Sequence, residues 1–173
     1  IGHPNIIPIY DVGRLKDGRP FYTMPLLPQR TLSDMLAAMQ QGQERAHLVR
    51  LMRLFTNACL GVHAAHEAGV VHRDLKPANM ILGPNDELLV ADFGLARLFK
   101  HDVVRPGGGL SKLTAPGAAV GTPRYMSPQQ VAGSPVGPPT DIYSLGCILY
   151  QLLTGHVPIR KDSMPEQLIA VMN

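Results

Sequence analysis

Asp74, Lys76, Asn79 and Asp92 stand close together in the sequence and between them carry two carboxylates, an ammonium and a carboxamide. Such a set suits phosphoryl transfer. That reaction needs a carboxylate near the attacking hydroxyl, divalent metal on the phosphates and positive charge on the moving group. Asp74 can accept the hydroxyl proton or orient that hydroxyl. Lys76, two residues on, can meet a γ-phosphate as a compact point charge. Asn79 and Asp92 supply hard oxygen ligands, the kind that suits Mg²⁺. Taken singly, Asp74 or Asn79 reads as a turn residue or helix cap. The order of the whole set gives it chemical weight.

The surrounding pattern must bring these side chains to one place. Apolar runs at 80–82 and 88–91 are split by Gly83-Pro84-Asn85-Asp86, which predicts a hairpin. Its first strand follows Asn79 and its second ends at Asp92, so both oxygen ligands return to one edge. Residues 5–11 and 19–24 mix β-branched and polar types around Lys16-Asp17-Gly18 and predict an earlier hairpin. Pro25 and Pro28 break the pattern. Thr31 or Ser33 can then cap a helix with Leu32, Met35, Leu36 and Met39 on one face. Leu48, Leu51, Met52, Phe55, Cys59 and Val62 predict the buried face of a longer helix ended by Gly69. Residues 142–153 are apolar nearly all round and predict a buried central helix, and 166–172 predict another. Residues 100–121, rich in Gly, Pro, Ser and Thr and without period, predict a mobile surface loop.

Composition narrows the functional classes. The 173 residues are 45% hydrophobic and 17% charged, enough for one domain with a real core. No apolar run reaches the length of a membrane span. The net charge of +3 is small, and the basic residues are scattered apart from Arg50 and Arg53, which argues against a nucleic-acid partner. Cys59 and Cys147 sit in apolar helical patterns and read as two reduced, buried thiols of a cytoplasmic fold. His63 and His66, three apart on a helix, read as surface residues rather than metal ligands. The chain starts at Ile1 with no signal-peptide pattern and reads as a piece of something longer.

His72-Arg73-Asp74-Leu75-Lys76-Pro77-Ala78-Asn79, followed by Asp92-Phe93-Gly94, resembles the catalytic loop and metal-binding motif of protein kinases. Residues 121–129, Gly-Thr-Pro-Arg-Tyr-Met-Ser-Pro-Gln, resemble the end of a kinase activation segment. Asp141-Ile142-Tyr143-Ser144-Leu145-Gly146 resembles the start of the helix that anchors the large lobe. His3-Pro4-Asn5-Ile6 resembles the loop entering the fourth small-lobe strand. The resemblance covers essentially the whole chain. It implies an α+β, protein-kinase-like bilobal fold: a small-lobe remnant of hairpin and hinge over residues 1–27, and an incomplete, mostly helical large lobe over 28–173.

The same resemblance implies ATP and Mg²⁺ as cofactors and protein Ser or Thr as acceptor, because Lys76 follows Asp74 and Thr122 lies in the docking loop. Asp74, Lys76 and Thr122 are the implied catalytic residues, and Asn79 and Asp92 the implied metal ligands. Met24-Pro25-Leu26-Leu27 resembles the adenine hinge, with Met24 as gatekeeper, the Pro25 carbonyl and the Leu27 N–H facing the base, and Ile81 beneath the ring. His72 is expected to pack under Phe93. Arg73 is the implied partner of a regulatory phosphate on Ser111 or Thr114, with Arg97 nearby, and another copy of the chain is a candidate to place that phosphate. The Tyr-Met-Ser-Pro-Gln-Gln run looks like bacterial kinases of this type, many of which are anchored by a membrane span elsewhere in the protein.

Three family parts are absent from these residues: the glycine-rich phosphate loop, the strand lysine and the helix glutamate paired with it. The 173 residues by themselves are therefore expected to transfer phosphate only at background. Gln129 stands where the family has Glu, and a neutral amide cannot form the usual ion pair. A non-catalytic binding module is the alternative reading. A small-molecule phosphotransferase is disfavoured by the docking loop with Thr122 and Pro128.

Overall fold

Asp17 and Gly18 close the first hairpin. Gly18 takes a φ of 85°, which glycine adopts without steric cost, and Asp17 Oδ1 accepts the Arg19 N–H at 3.0 Å. They join β1 (Asp11–Arg14) to an antiparallel β2 (Pro20–Thr23), with Asp11 opposite Thr23. The structure is a computed structural model and describes residues 1–93 and 123–173. The expected loop at 100–121, with Ser111, Thr114, Arg97 and Thr122, lies outside the described residues.

β1 begins later than the expected strand at 5–11. Residues 5–7 pair instead with β4 (Leu88–Val90): Ile7 donates to the Val90 carbonyl at 3.0 Å, and Val90 donates to the Asn5 carbonyl at 2.9 Å. Pro8 has no N–H to continue this pairing.

The described residues form an α+β fold whose backbone falls into two units, one of 1–72 with 77–93 and the other of 73–76 with 123–173. In the first unit, α1 (Leu32–Gln40) starts at Thr31. Its side chain and that of Asp34 form a reciprocal capping box, and Leu32, Met35 and Leu36 are buried. α2 (Leu48–Glu67) is held by its apolar face. That face is turned from the expected one: Leu51 and Val62 are buried as predicted, together with Leu54, Ala58, Gly61 and Ala65, whereas Leu48 is 59% exposed and Met52, Phe55 and Cys59 are only partly covered.

Close backbone approach explains the rotation. A Cβ at Gly61 would lie 2.8 Å from the Asn5 carbonyl oxygen, so the helix seats Gly61 against the chain that pairs with β4. Gly61→Ala is therefore expected to destabilise the fold. Alanine gains about 1 kcal/mol of helix propensity, but overpacking against a backbone atom costs about 1–3 kcal/mol. The Asn5 carbonyl cannot retreat without losing its bond to Val90. Thermal unfolding followed by circular dichroism should show a melting temperature lowered by about 2–6 °C; an unchanged or raised value would show that the contact is slack.

β3 (Met80–Leu82) pairs antiparallel with β4, Met80 opposite Val90, as the sequence predicts. Asp86, in the hairpin turn at a φ of 58°, is tied to α2. Arg50 Nη2 reaches Asp86 Oδ1 at 2.7 Å, Arg53 also pairs with Asp86, and Arg50 Nη1 meets Glu44 at 3.1 Å. Arg50 holds the Asp86 carboxyl below the ordinary carboxylate value. The two arginines that stood out in the sequence thus fasten a turn.

In the second unit a 3₁₀ turn (Pro123–Tyr125) leads to α3 (Pro128–Ala132), α4 (Pro138–Thr154) and α5 (Met164–Met172). Val131, Leu168 and Val171 form a core cluster, with Met126, Tyr143, Ile159 and Met164 packed on it. α4 departs from the expected all-round burial: Thr140, Asp141, Ser144, Leu145, Cys147, Ile148 and Leu152 are buried, but Ile142 and Leu153 are 59% and 53% exposed. Its buried stripe includes polar residues because they hold the neighbouring loops. Among the described residues no helix is long and apolar enough to cross a membrane.

Candidate active site

In the first unit the β3–β4 hairpin delivers Asn79 and Asp92 together. The Ala91 N–H donates to the Asn79 carbonyl at 2.9 Å, directly before Asp92. Asp92 is exposed and has a φ of 61°, a left-handed conformation that Asp tolerates better than most residues. The Tyr22 hydroxyl donates to Asp92 Oδ1 at 3.3 Å. Burial, and then the Asp92 charge, push the Tyr22 phenol above its ordinary value. A carboxamide and a carboxylate at one hairpin end are hard oxygen donors, a chemistry that fits a divalent cation such as Mg²⁺.

His72 is buried, and its Nε2 lies 2.8 Å from the Ala91 carbonyl. A carbonyl can only accept, so Nε2 carries the proton. The ring packs on Phe93 with centroids 4.8 Å apart, as expected. His72 therefore braces the strand end that carries Asp92. Met24, Pro25 and Leu27, where the hinge is expected, run from the end of β2 toward α1, with Met24 42% exposed. The chain just beyond them lies along β3: Thr31 bridges Ile81, and the Leu82 N–H donates to the Arg30 carbonyl at 2.9 Å.

Asp74 and Lys76 belong to the second unit. Lys76 Nζ lies 2.7 Å from Asp74 Oδ2, with the Asp74 side chain 54% exposed. An ion pair this open contributes little stability, so its value is in holding opposite charges at one accessible point. The preceding residue is conformationally costly. Arg73 has a φ of 70°, which for a non-glycine residue costs about 1–2 kcal/mol. Its N–H donates to Asp141 Oδ1 at 2.8 Å, and its carbonyl accepts from Gln130 Nε2 at 2.6 Å. Asp141 is fully buried in the first turn of α4, where the helix dipole favours a carboxylate.

α4 also holds the segment in front of α3. Ser144 Oγ donates to the Tyr125 carbonyl at 2.7 Å, and the Tyr125 hydroxyl donates to Gln151 Oε1 at 2.6 Å. Burial pushes the Tyr125 phenol up to about 12. α3 and the role of Gln130 were not anticipated. A local signal for the helix was present: Ser127 followed by Pro128 at the first helical position and Gln130 three residues on is a capping box, and both of its bonds form. Gln129, which stands where the resemblance implies Glu, is exposed.

A family described as the protein kinase domain matches residues 1–173. Similar curated proteins include the serine/threonine-protein kinase PknD of Chlamydia caviae, 37% identical over 175 residues that cover 92% of this chain and 19% of that protein. Serine/threonine-protein kinase PknL of Mycobacterium tuberculosis is 37% identical over 159 residues, 91% of this chain and 36% of that protein. PknB of Mycolicibacterium smegmatis is 33% identical over 166 residues, 94% and 25% respectively. The chain thus spans about a fifth of the length of the first of these relatives.

Proposed function

Because this chain belongs to the protein kinase domain family, we propose that it carries the catalytic loop of a serine/threonine protein kinase, which transfers the γ-phosphate of ATP to Ser or Thr of protein substrates. The observation that carries this reading is the strained Arg73, held at its N–H by the buried Asp141 immediately before the accessible Asp74–Lys76 pair. Backbone strain of this kind persists where surrounding structure over-determines it, and it concentrates at active sites.

In this reading Asp74 accepts or orients the proton of the acceptor hydroxyl, and the neighbouring Lys76 ammonium offsets negative charge on the transferring group. Thr122 ties the docked acceptor to this pair. Asn79 and Asp92 would hold Mg²⁺, whose chemistry there is to neutralise charge on the ATP phosphates. Met24, the Pro25 carbonyl, the Leu27 N–H and Ile81 form the adenine side. Residues 1–27 are the small-lobe and hinge part and 28–173 the large-lobe part. The cytoplasm, where ATP and reduced thiols occur, is the compartment that suits this chemistry. Arg73 takes a regulatory phosphate on Ser111 or Thr114, placed by a second copy of the same protein.

Transfer of labelled γ-phosphate from ATP by the full-length natural protein to a generic basic protein tests the proposal. Phosphoamino-acid analysis should find the label on Ser and Thr. Label on Tyr alone, or no transfer in the presence of Mg²⁺, would overturn it.

A further inference from the structure

Gln130 uses both ends of one carboxamide. Its Oε1 accepts the Ser127 N–H at 3.0 Å, which completes the capping box of α3, and its Nε2 donates to the Arg73 carbonyl at 2.6 Å. The orientation of the amide follows from its partners, since one is a donor and the other an acceptor. These bonds close a circuit. Ser127 Oγ meets Thr140 Oγ1 at 3.4 Å, Thr140 precedes Asp141, and Asp141 returns to the Arg73 N–H at 2.8 Å.

We infer that Gln130 is a positioning residue for the Asp74 carboxylate, coupling α3 to the loop that carries the reacting groups; the inference rests on the kinase reading above. A peptide group is planar. Holding the Arg73 carbonyl therefore fixes the plane that ends at the Asp74 nitrogen and Cα, the atom from which the Asp74 side chain leaves the backbone. Arg73, at a φ of 70°, sits in a conformation that non-glycine residues leave when they can. Leaving it would require the Arg73–Asp74 peptide to turn; this peptide lines a narrow cleft with Tyr125, Met126, Gln130 and Ser144. The Gln130 side chain opposes that turn, and it does so from the helix that ends the substrate-docking segment. A shift of α3 is thereby felt at Asp74.

Gln130→Glu in the full-length natural protein separates the two bonds. Glutamate is a favoured partner in a capping box and still accepts the Ser127 N–H, but it cannot donate to the Arg73 carbonyl. The expected result is a kcat lowered by about 10–100-fold, the scale of a misplaced catalytic group. KM for ATP should stay at the wild-type value, while the melting temperature falls by the loss of one bond. Amide hydrogen exchange across residues 73–75 should be faster while α4 keeps its protection. Gln130→Ala, which loses both bonds, should lower the melting temperature as well. Wild-type kcat in Gln130→Glu, or losses of kcat that follow melting temperature alone in both variants, would overturn the inference. If the unmodified protein transfers no phosphate, the kinase reading fails instead. The exchange arm then still decides the contact, because unchanged exchange at 73–75 removes Gln130 as its anchor.

Discussion

Asp74→Asn in the full-length natural protein is expected to lower kcat by about 10²–10⁴-fold, the usual contribution of a positioned general base. That corresponds to roughly 3–5 kcal/mol of transition-state stabilisation. The substitution keeps size and shape and removes one acceptor charge, so the amide can no longer take a proton from an attacking hydroxyl. Because the Asp74 side chain is more than half exposed, at 54%, and its ion pair with Lys76 is open to water, the fold should not register the change. Binding of Mg·ATP, measured at equilibrium with a fluorescent nucleotide, should be retained. A fall in kcat with unchanged nucleotide binding is the signature of an interaction made in the transition state. Turnover at the wild-type rate would remove Asp74 from the reaction.

Asp92→Asn should fail differently. The residue is at a φ of 61°, and asparagine adopts the left-handed region at least as readily as aspartate, so the hairpin end should keep its shape. The carboxamide oxygen can still accept from the Tyr22 hydroxyl. What is lost is a negative, hard oxygen donor at the end of β4. Affinity for ATP in Mg²⁺ should fall by at least about 10–100-fold, since even loss of an outer-shell partner of a metal ligand costs that much. Affinity measured with EDTA should change little. Retention of the full Mg²⁺ dependence in this variant would mean that the cation is held elsewhere. The contrast between the two variants, one defective in turnover and the other in metal-dependent binding, separates the hydroxyl-facing carboxylate from the phosphate-facing one.

Much of the site was legible because its signals are local. The order Asp74, Lys76, Asn79, hairpin, Asp92 needs only a turn at Gly83–Glu87 to return two hard oxygen donors to one edge, and Gly83 N–H does donate to the Glu87 carbonyl at 3.0 Å. The packing of His72 on Phe93 was likewise accessible, since the two flank the same hairpin. Thr31 and Ser163 announce their helices through side-chain caps that act within one turn.

Other features have no such signature. Apolar spacing in α2 shows that some face is buried, but which stripe turns inward depends on what it meets. The close approach of the Asn5 carbonyl places Gly61 on the buried stripe, while Phe55 and Cys59 stay only partly covered. The same holds for α4, whose apolar composition says nothing of Ile142 and Leu153 facing outward while Asp141 and Ser144 face inward. The conformation of Arg73 is decided by partners 68 and 57 residues away, Asp141 and Gln130. Residue types and short-range order determine which chemical groups this chain can offer. Only tertiary contacts can force a long side chain into a left-handed backbone state, because the cost of that state must be met by hydrogen bonds from groups that local sequence does not bring near.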